Sequence, residues 1–319
     1  MKSKPLVAVA ALGGTIAMAP AERGVVPTLS AEDLLSGVEL DVDVRAATLS
    51  NIPGASLTFE ALARCHDWAA AQEADGIVVV QGTDTLEETA YFFECVWPDE
   101  RPVVVTGAMR HPSLLSADGP ANLANALTVA AAPSSRGRGA LVSFNDDVHQ
   151  ARWVRKAHSS HLEAFSSAPA GPLGMVAEGV VHYFHPAGER PPALPVPGTE
   201  LLVPLLETGL DDTGAVLDAV VDAGAAGVVL AASGVGHVSE RTADAIERTE
   251  IPVVIASRTG AGTTFRGTYG FRGSEADLIG MGVTMAGWLD PRKARVLLYL
   301  ALAAGAPVAD EFRLRGALV

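Results

Sequence analysis

Apolar residues occur along this chain in short, unbroken runs. LVAVAAL (6–12), GIVVVQ (76–81), PVVVTG (102–107), ALVSF (140–144), ELLVPLL (200–206), GVVLAAS (227–233) and PVVIAS (252–257) lean on valine and do not alternate with polar residues. A strand with one wet face alternates, whereas one covered on both faces does not, so these runs predict strands of parallel sheets. Helical patterns such as TLEETAYFFECVW and SADGPANLANALTVAAA lie between them. Strand–helix alternation on this scale predicts an open α/β fold with mainly parallel sheets.

The stretch PAGERPPALPVPGTE (186–200) interrupts the alternation with five prolines in 15 residues. Proline removes a backbone donor and disfavours helix in the residue before it, so the segment reads as extended. It predicts a larger N-terminal α/β domain at 1–187, a proline-rich linker at 188–200 and a smaller C-terminal α/β domain at 201–319.

Composition narrows the function classes. Hydrophobic residues make up 49% and charged residues 19% of the 319, as in a well-packed globular chain. A formal net charge of −14 argues against nucleic acid as a partner, because phosphate contacts need clustered Lys and Arg. No apolar run reaches the roughly 18 residues that would predict a membrane span. Cys65 and Cys95 do not form a close-spaced pair and read as reduced, buried small residues. The opening MKSKPLVAVAALGGTIAMAPA has the lysines, apolar stretch and small-residue ending of a secretory leader. A glycine pair breaks that stretch, and cleavage near Ala21 would discard a candidate catalytic turn, so a cytoplasmic location is expected.

Two predicted strands end in small polar turns: Gly13-Gly14-Thr15 after LVAVAAL, and Gly82-Thr83-Asp84 after IVVVQ. Ligands of open α/β sheets bind beyond the carboxyl ends of the strands. Glycine lets the backbone pass close to a ligand, a threonine hydroxyl can serve as a nucleophile, and an aspartate can hold a cation. Either turn alone reads more readily as a tight loop with an N-cap residue, and it is the two together that point to a site.

VAALGGTIA (9–17) and GIVVVQGTDTL (76–86) resemble the two signature segments of the bacterial-type L-asparaginases, a family that includes glutaminase-asparaginases. TGAMRHPSLLSADGPANLANAL (106–127), ARWVRKAHSSHLEAFSS (151–167) and LDPRKARVLLYLAL (289–302) resemble the family in the same order, so the likeness runs end to end. It implies hydrolysis of the side-chain amide of L-asparagine to L-aspartate and ammonia, through a covalent acyl-enzyme and without a cofactor. It implies Thr15 as the nucleophile and Thr83, Asp84 and Lys156 as a second catalytic cluster, with Asp84 also on the substrate's α-ammonium. Gly54, Ala55 and Ser56 fall where the family binds the α-carboxylate. Glu275 falls where the family has a glutamate that reaches a neighbouring subunit's site. A homodimer or homotetramer follows, with the C-terminal domain at the subunit interface. L-Glutamine stays open as a second substrate, since one methylene is worth only about 1–3 kcal/mol of discrimination.

These roles are chemically sensible. A threonine hydroxyl needs a base to take its proton, and a desolvated lysine can supply one. A backbone N–H in the Gly82–Thr83 turn would face the developing oxyanion, a contribution of roughly 3–4 kcal/mol.

The sequence also departs from the family. Leu12 stands where a threonine is usual and Gln81 where a histidine often stands. Gly54 takes the place of a serine that contacts the α-carboxylate, with Ser56 two residues on. The loop AMAPAERGVVPTL (17–29) lacks the tyrosine that commonly helps activate the nucleophile, and the first tyrosine in the chain is Tyr91. Three outcomes stay open: Lys156 or an ordered water activates Thr15, Thr15 is weakly active, or the protein binds amino acids without turning them over.

Other patterns carry less. His158 and His161, and His182 and His185, have three-residue spacing but suggest no third ligand for a metal. The GVG of ASGVGHVSE lacks the third glycine of a dinucleotide fingerprint, and no GxxxxGK[ST] loop occurs. Arg110 either orders a loop near the cleft or is structural.

Overall fold

The first apolar run forms strand β1 (Leu6–Gly13), the strand on which the N-terminal sheet is built. The computed structural model describes residues 4–22, 24–38 and 41–317. Parallel neighbours flank β1 on both sides: β2 (Asp43–Ile52) and β3 (Gly76–Val80). Beyond β3 come β4 (Val103–Thr106) and β5 (Ala140–Phe144), also parallel. Every residue of β3, β4 and β5 is buried, which is why these runs carry no alternation.

Three antiparallel strands complete this eight-stranded sheet: β6 (Asp147–Gln150), β7 (Gly174–Ala177) and β8 (Val180–Tyr183), giving the order β8-β7-β6-β5-β4-β3-β1-β2. The β5–β6 reversal uses Asn145 and Asp146, at φ 50° and 68°. Two central residues with positive φ make a type I′ turn, whose twist matches that of the strands it joins.

Strand β2 was not predicted. It lies at the sheet edge, paired only with β1, and none of its residues is fully buried. A half-wet edge strand has no need of an unbroken apolar run.

Helices α1 (Phe59–Ala70), α2 (Leu86–Val96) and α3 (Gly119–Ala131) follow β2, β3 and β4. Leu123 and Leu127 of α3 share a core with Val78, Val80 and Val104. Burying a side chain of this kind contributes about 1.5–3 kcal/mol. Cys65 and Cys95 are buried thiols, and burial pushes the Cys65 pKa up to about 12.

The chain divides into two compact units, residues 1–193 and 194–319. The boundary lies within the proline-rich stretch, where residues 186–198 form no helix or strand. Before the boundary, the Arg190 guanidinium donates to the carbonyl of Trp97 at 2.9 Å. After it, Tyr299 Oη donates to the Thr199 carbonyl and Arg295 Nε to the Val203 carbonyl, each at 2.8 Å.

The second unit carries its own parallel sheet, ordered β9 (Leu205–Glu207), β10 (Val228–Ala232), β11 (Val253–Ser257), β12 (Thr284–Met285). The run at 200–206 predicted an earlier start for β9. Pro204 has no N–H to give a ladder, and the strand begins just after it. Helix α4 (Pro291–Ala304) opens on Asp290, whose carboxylate accepts from the N–H groups of Arg292 and Lys293. That cap accounts for the start of the LDPRKARVLLYLAL segment in purely structural terms.

Candidate active site

Parallel pairing sets the ends of β1 and β3 level, with Ala11 opposite Val80. Each strand then runs into a glycine and a short 3₁₀ turn, Thr15–Ala17 in one case and Thr83–Thr85 in the other. Gly14 sits at φ 85°, and a Cβ placed on it would lie 2.0 Å from the Gly82 nitrogen. Only a residue without a side chain permits that approach.

A third turn joins them from the end of β2. A Cβ on Gly82 would meet the Gly54 nitrogen at 2.8 Å, and Thr85 Oγ1 donates to the Gly54 carbonyl at 2.9 Å. The three stretches singled out in the sequence thus converge through glycine backbones at the carboxyl edge of one sheet.

Lys156 arrives from elsewhere. It lies on a two-residue strand, Arg155–Lys156, paired antiparallel with Phe165–Ser166. Its Nζ donates to Thr83 Oγ1 at 2.9 Å and to Asp84 Oδ1 at 3.2 Å. The lysine side chain is 18% exposed and that of Asp84 58% exposed, so this ion pair contributes little to stability by itself. An amine in contact with a threonine hydroxyl is a nucleophile–base arrangement, and the wet carboxylate beside it can receive a cationic group.

Thr15 is half-buried, one residue beyond the Gly14–Gly82 contact. The hydrogen bonds unite Thr83, Asp84 and Lys156; the glycine contact brings the Thr15 turn against the Thr83 turn. Gly54 is buried, whereas Ala55 and Ser56 are exposed and the Ser56 N–H is used by the Pro53 carbonyl.

Gln81 is fully buried. Its Nε2 donates to the Gly82 carbonyl at 3.2 Å, and its Oε1 is buried without a partner. The tyrosine-free stretch after the Thr15 turn is a small hairpin, Met18–Pro20 against Val25–Pro27. Thr28 and Leu29 both donate their N–H to the Ala17 carbonyl and close the hairpin onto that turn. Arg110 orders a loop, donating to the carbonyls of Leu115 and Ser116, while Asp118 accepts from the N–H groups of Met109 and Arg110.

Glu275, in the second unit, is hydrogen-bonded to its own chain. It is fully buried, and its carboxylate accepts from the N–H groups of Thr268 and Tyr269 at 2.7 and 2.8 Å and contacts His237 Nε2 at 3.0 Å. Burial opposes its ionisation, but the N–H donors of Tyr269, Glu275 itself and Thr268, with His237, hold its pKa below the ordinary carboxylate value. Oε1 takes both backbone N–H groups and Oε2 faces His237, and a carboxylate with about four acceptor sites keeps one for a further donor. These bonds tie down residues 268–269 and set the direction of the carboxylate.

The sequence reading missed Glu87. It is 1% exposed, and one oxygen accepts the backbone N–H of Lys156 at 2.5 Å. Its signal was a carboxylate on the face of TLEETAYFF that the strand-covering residues share. His158 and His161 stack at 3.5 Å between ring centres, and His158 Nδ1 accepts the N–H groups of Ser160 and His161. Among the described residues, no group of three or more His, Cys, Asp or Glu could hold a metal ion, and no helix is long and apolar enough to cross a membrane.

Residues 6–188 match the family described as "Asparaginase, N-terminal", and residues 203–313 match "Glutaminase/Asparaginase C-terminal domain". The chain is 38% identical over 315 residues to a probable L-asparaginase of Deinococcus radiodurans, covering 97% of this chain and 96% of that one. It is 34% identical over 320 residues to a glutaminase-asparaginase of Pseudomonas fluorescens, covering 93% and 86%. The crystal structure of a probable cytoplasmic L-asparaginase from Campylobacter jejuni matches with a TM-score of 0.87 at 31% identity, covering 98% of this chain and all of that one.

Proposed function

The chain belongs to the bacterial-type L-asparaginase family, and from that premise we propose that it hydrolyses L-asparagine to L-aspartate and ammonia through a threonine acyl-enzyme. The observation that carries the mechanism is the Lys156 amine 2.9 Å from the Thr83 hydroxyl and 3.2 Å from the Asp84 carboxylate. Both lie in a turn whose backbone touches the Thr15 turn.

Thr15 Oγ1 attacks the side-chain amide carbon, and its proton passes through the Thr83 hydroxyl to the lone pair of the Lys156 amine, which acts as base in its unprotonated form. The new oxyanion faces a backbone N–H of the Gly82–Thr83 turn, at the amino end of the segment leading into α2. Collapse breaks the C–N bond, and the nitrogen leaves as ammonia once it has taken up a proton. Water then cleaves the ester, releasing aspartate and restoring the hydroxyl. Asp84 receives the substrate's α-ammonium, and the turn at Gly54, Ala55 and Ser56 its α-carboxylate.

The close Lys156–Thr83 contact favours one variant, in which Thr83 is itself the attacking group. Similarity to a glutaminase-asparaginase supports L-glutamine as a further substrate. A cytoplasmic homodimer or homotetramer belongs to the same proposal. Its location is supported by similarity to the Campylobacter jejuni protein, and its assembly by exposed Phe265, Tyr269 and Phe271.

Ammonia release from each amino acid tests the reaction, and peptide mapping of acid-quenched enzyme tests the nucleophile. An aspartyl adduct on the peptide holding Thr15 is expected. An adduct on Thr83 would transfer the role, and asparagine binding without ammonia release would make this an amino-acid-binding protein.

A further inference from the structure

On the reading that this chain hydrolyses asparagine, we infer that Glu87 is a positioning residue: its buried carboxylate holds the backbone of Lys156 so that the amine reaches Thr83. The segment from Thr83 to Glu87 grips the lysine at both ends. Thr83 Oγ1 and Asp84 Oδ1 receive its Nζ, and Glu87 Oε2 receives its backbone N–H at 2.5 Å.

Lysine by itself cannot secure this geometry. Its ammonium rides on a flexible four-carbon stem, so displacement of the backbone carries through to Nζ. The ladder beneath it is short, pairing Lys156 with Phe165 and Arg155 with Ser166, with the Ala157 N–H closing onto the Ala164 carbonyl just beyond. An anchor outside the hairpin is therefore needed, and Glu87 supplies one from 69 positions away in the chain.

Glu87 is also an unusual choice for its place. It is 1% exposed on a helix whose other buried residues include Leu86, Ala90, Phe92 and Phe93. Burying a carboxylate is costly unless donors satisfy it. The first turn of a helix lowers that cost, and a bond from N–H to carboxylate is stronger than one between neutral groups. An apolar residue would satisfy packing alone. A carboxylate there satisfies a backbone donor, and that donor belongs to Lys156.

The test is ammonia release from L-asparagine by Glu87→Leu, Glu87→Asp and Glu87→Gln, each made in the natural chain and in Lys156→Ala, with thermal melting of every variant. Displacing a catalytic group by about 1 Å can cost 10²-fold in rate, so Glu87→Leu is expected to lower kcat about 10- to 100-fold while KM changes less than about threefold. Glu87→Gln keeps an acceptor and should give an intermediate kcat. In the Lys156→Ala background the same changes should cost no more than about twofold, because the group being positioned is gone.

Equal losses in both backgrounds, or a loss matched by a rise in KM, would overturn the assignment. If Glu87→Leu does not fold, Glu87→Asp, which withdraws the acceptor by one methylene, carries the same expectation. A natural chain that releases no ammonia would refute the hydrolase reading instead. The positioning would then be read from crystal structures of the natural and Glu87→Asp proteins. It fails if the Lys156 Nζ to Thr83 Oγ1 distance is unchanged.

Discussion

Gly14 and Gly82 touch through their backbones, so tightly that a Cβ on Gly14 would lie 2.0 Å from the Gly82 nitrogen. This contact, rather than any side-chain bond, sets the Thr15 turn against the Thr83 turn. Both glycines begin the short turns that present a threonine, so the spacing of the two hydroxyls depends on the absence of two methyl groups.

Gly14→Ala should therefore damage activity and stability together. A side chain at φ 85° is strained and the overlap cannot be absorbed by a flexible neighbour. A loss of at least about 2 kcal/mol in urea unfolding is expected from strain and overpacking, together with a kcat reduced by two orders of magnitude or more. A variant with native kcat would show that the turns can part without consequence.

Lys156→Met should separate catalysis from folding. Removing a general base typically costs 10²–10⁴-fold in rate, and a drop of about that size in kcat is expected. The ion pair with Asp84 is partly exposed, so the melting temperature should shift little, in keeping with about 0–1 kcal/mol for such pairs. Calorimetry and the ammonia assay on one preparation check both halves.

His149 makes stability depend on pH. It is buried against Ser167 Oγ at 2.9 Å, and burial pushes its pKa down to about 4 from the usual 6.5. Between those values the unfolded chain binds a proton that the folded chain refuses. Stability is thus complete above pH 6.5, falls as pH is lowered towards 4, and levels off below that. The loss over the window is roughly 3 kcal/mol. His149→Gln keeps a hydrogen-bonding group but does not titrate, so urea midpoints at pH 7 and pH 4.5 should differ less for the variant than for the natural chain.

Asp290→Asn should destabilise the second unit without removing the helix cap. Lys293 Nζ lies 2.5 Å from Asp290 Oδ2, and the lysine side chain is 1% exposed. Burial works against the charge on Asp290, but Lys293 outweighs it and holds the carboxyl below its usual pKa. Asparagine caps helices as well as aspartate does, so the change isolates the ion pair. Neutralising the carboxylate that faces this buried lysine weakens a charge-assisted hydrogen bond, a loss of about 1.5–3 kcal/mol. Unfolding by guanidinium, followed by circular dichroism, measures the difference.

The α/β class, the two-domain division and most strands were legible along the chain, because burial on both faces leaves a local mark in unbroken valine runs. The two glycine–threonine turns were legible for a similar reason: a tight turn after a buried strand restricts which residues fit. Strand β2 left no such mark, being half-wet at the sheet edge, and the late start of β9 depended on a single missing N–H at Pro204.

Tertiary structure alone decided how these pieces meet. Thr83 and Lys156 are 73 positions apart, and no local pattern encodes which lysine a strand order and register will bring to a hydroxyl. The grip of Glu87 belongs to the same category, since it depends on a backbone N–H 69 positions away whose direction is set only when distant segments pack. Short-range sterics write the elements into the sequence; the converging chemistry arises from long-range backbone geometry, which one-dimensional spacing does not carry.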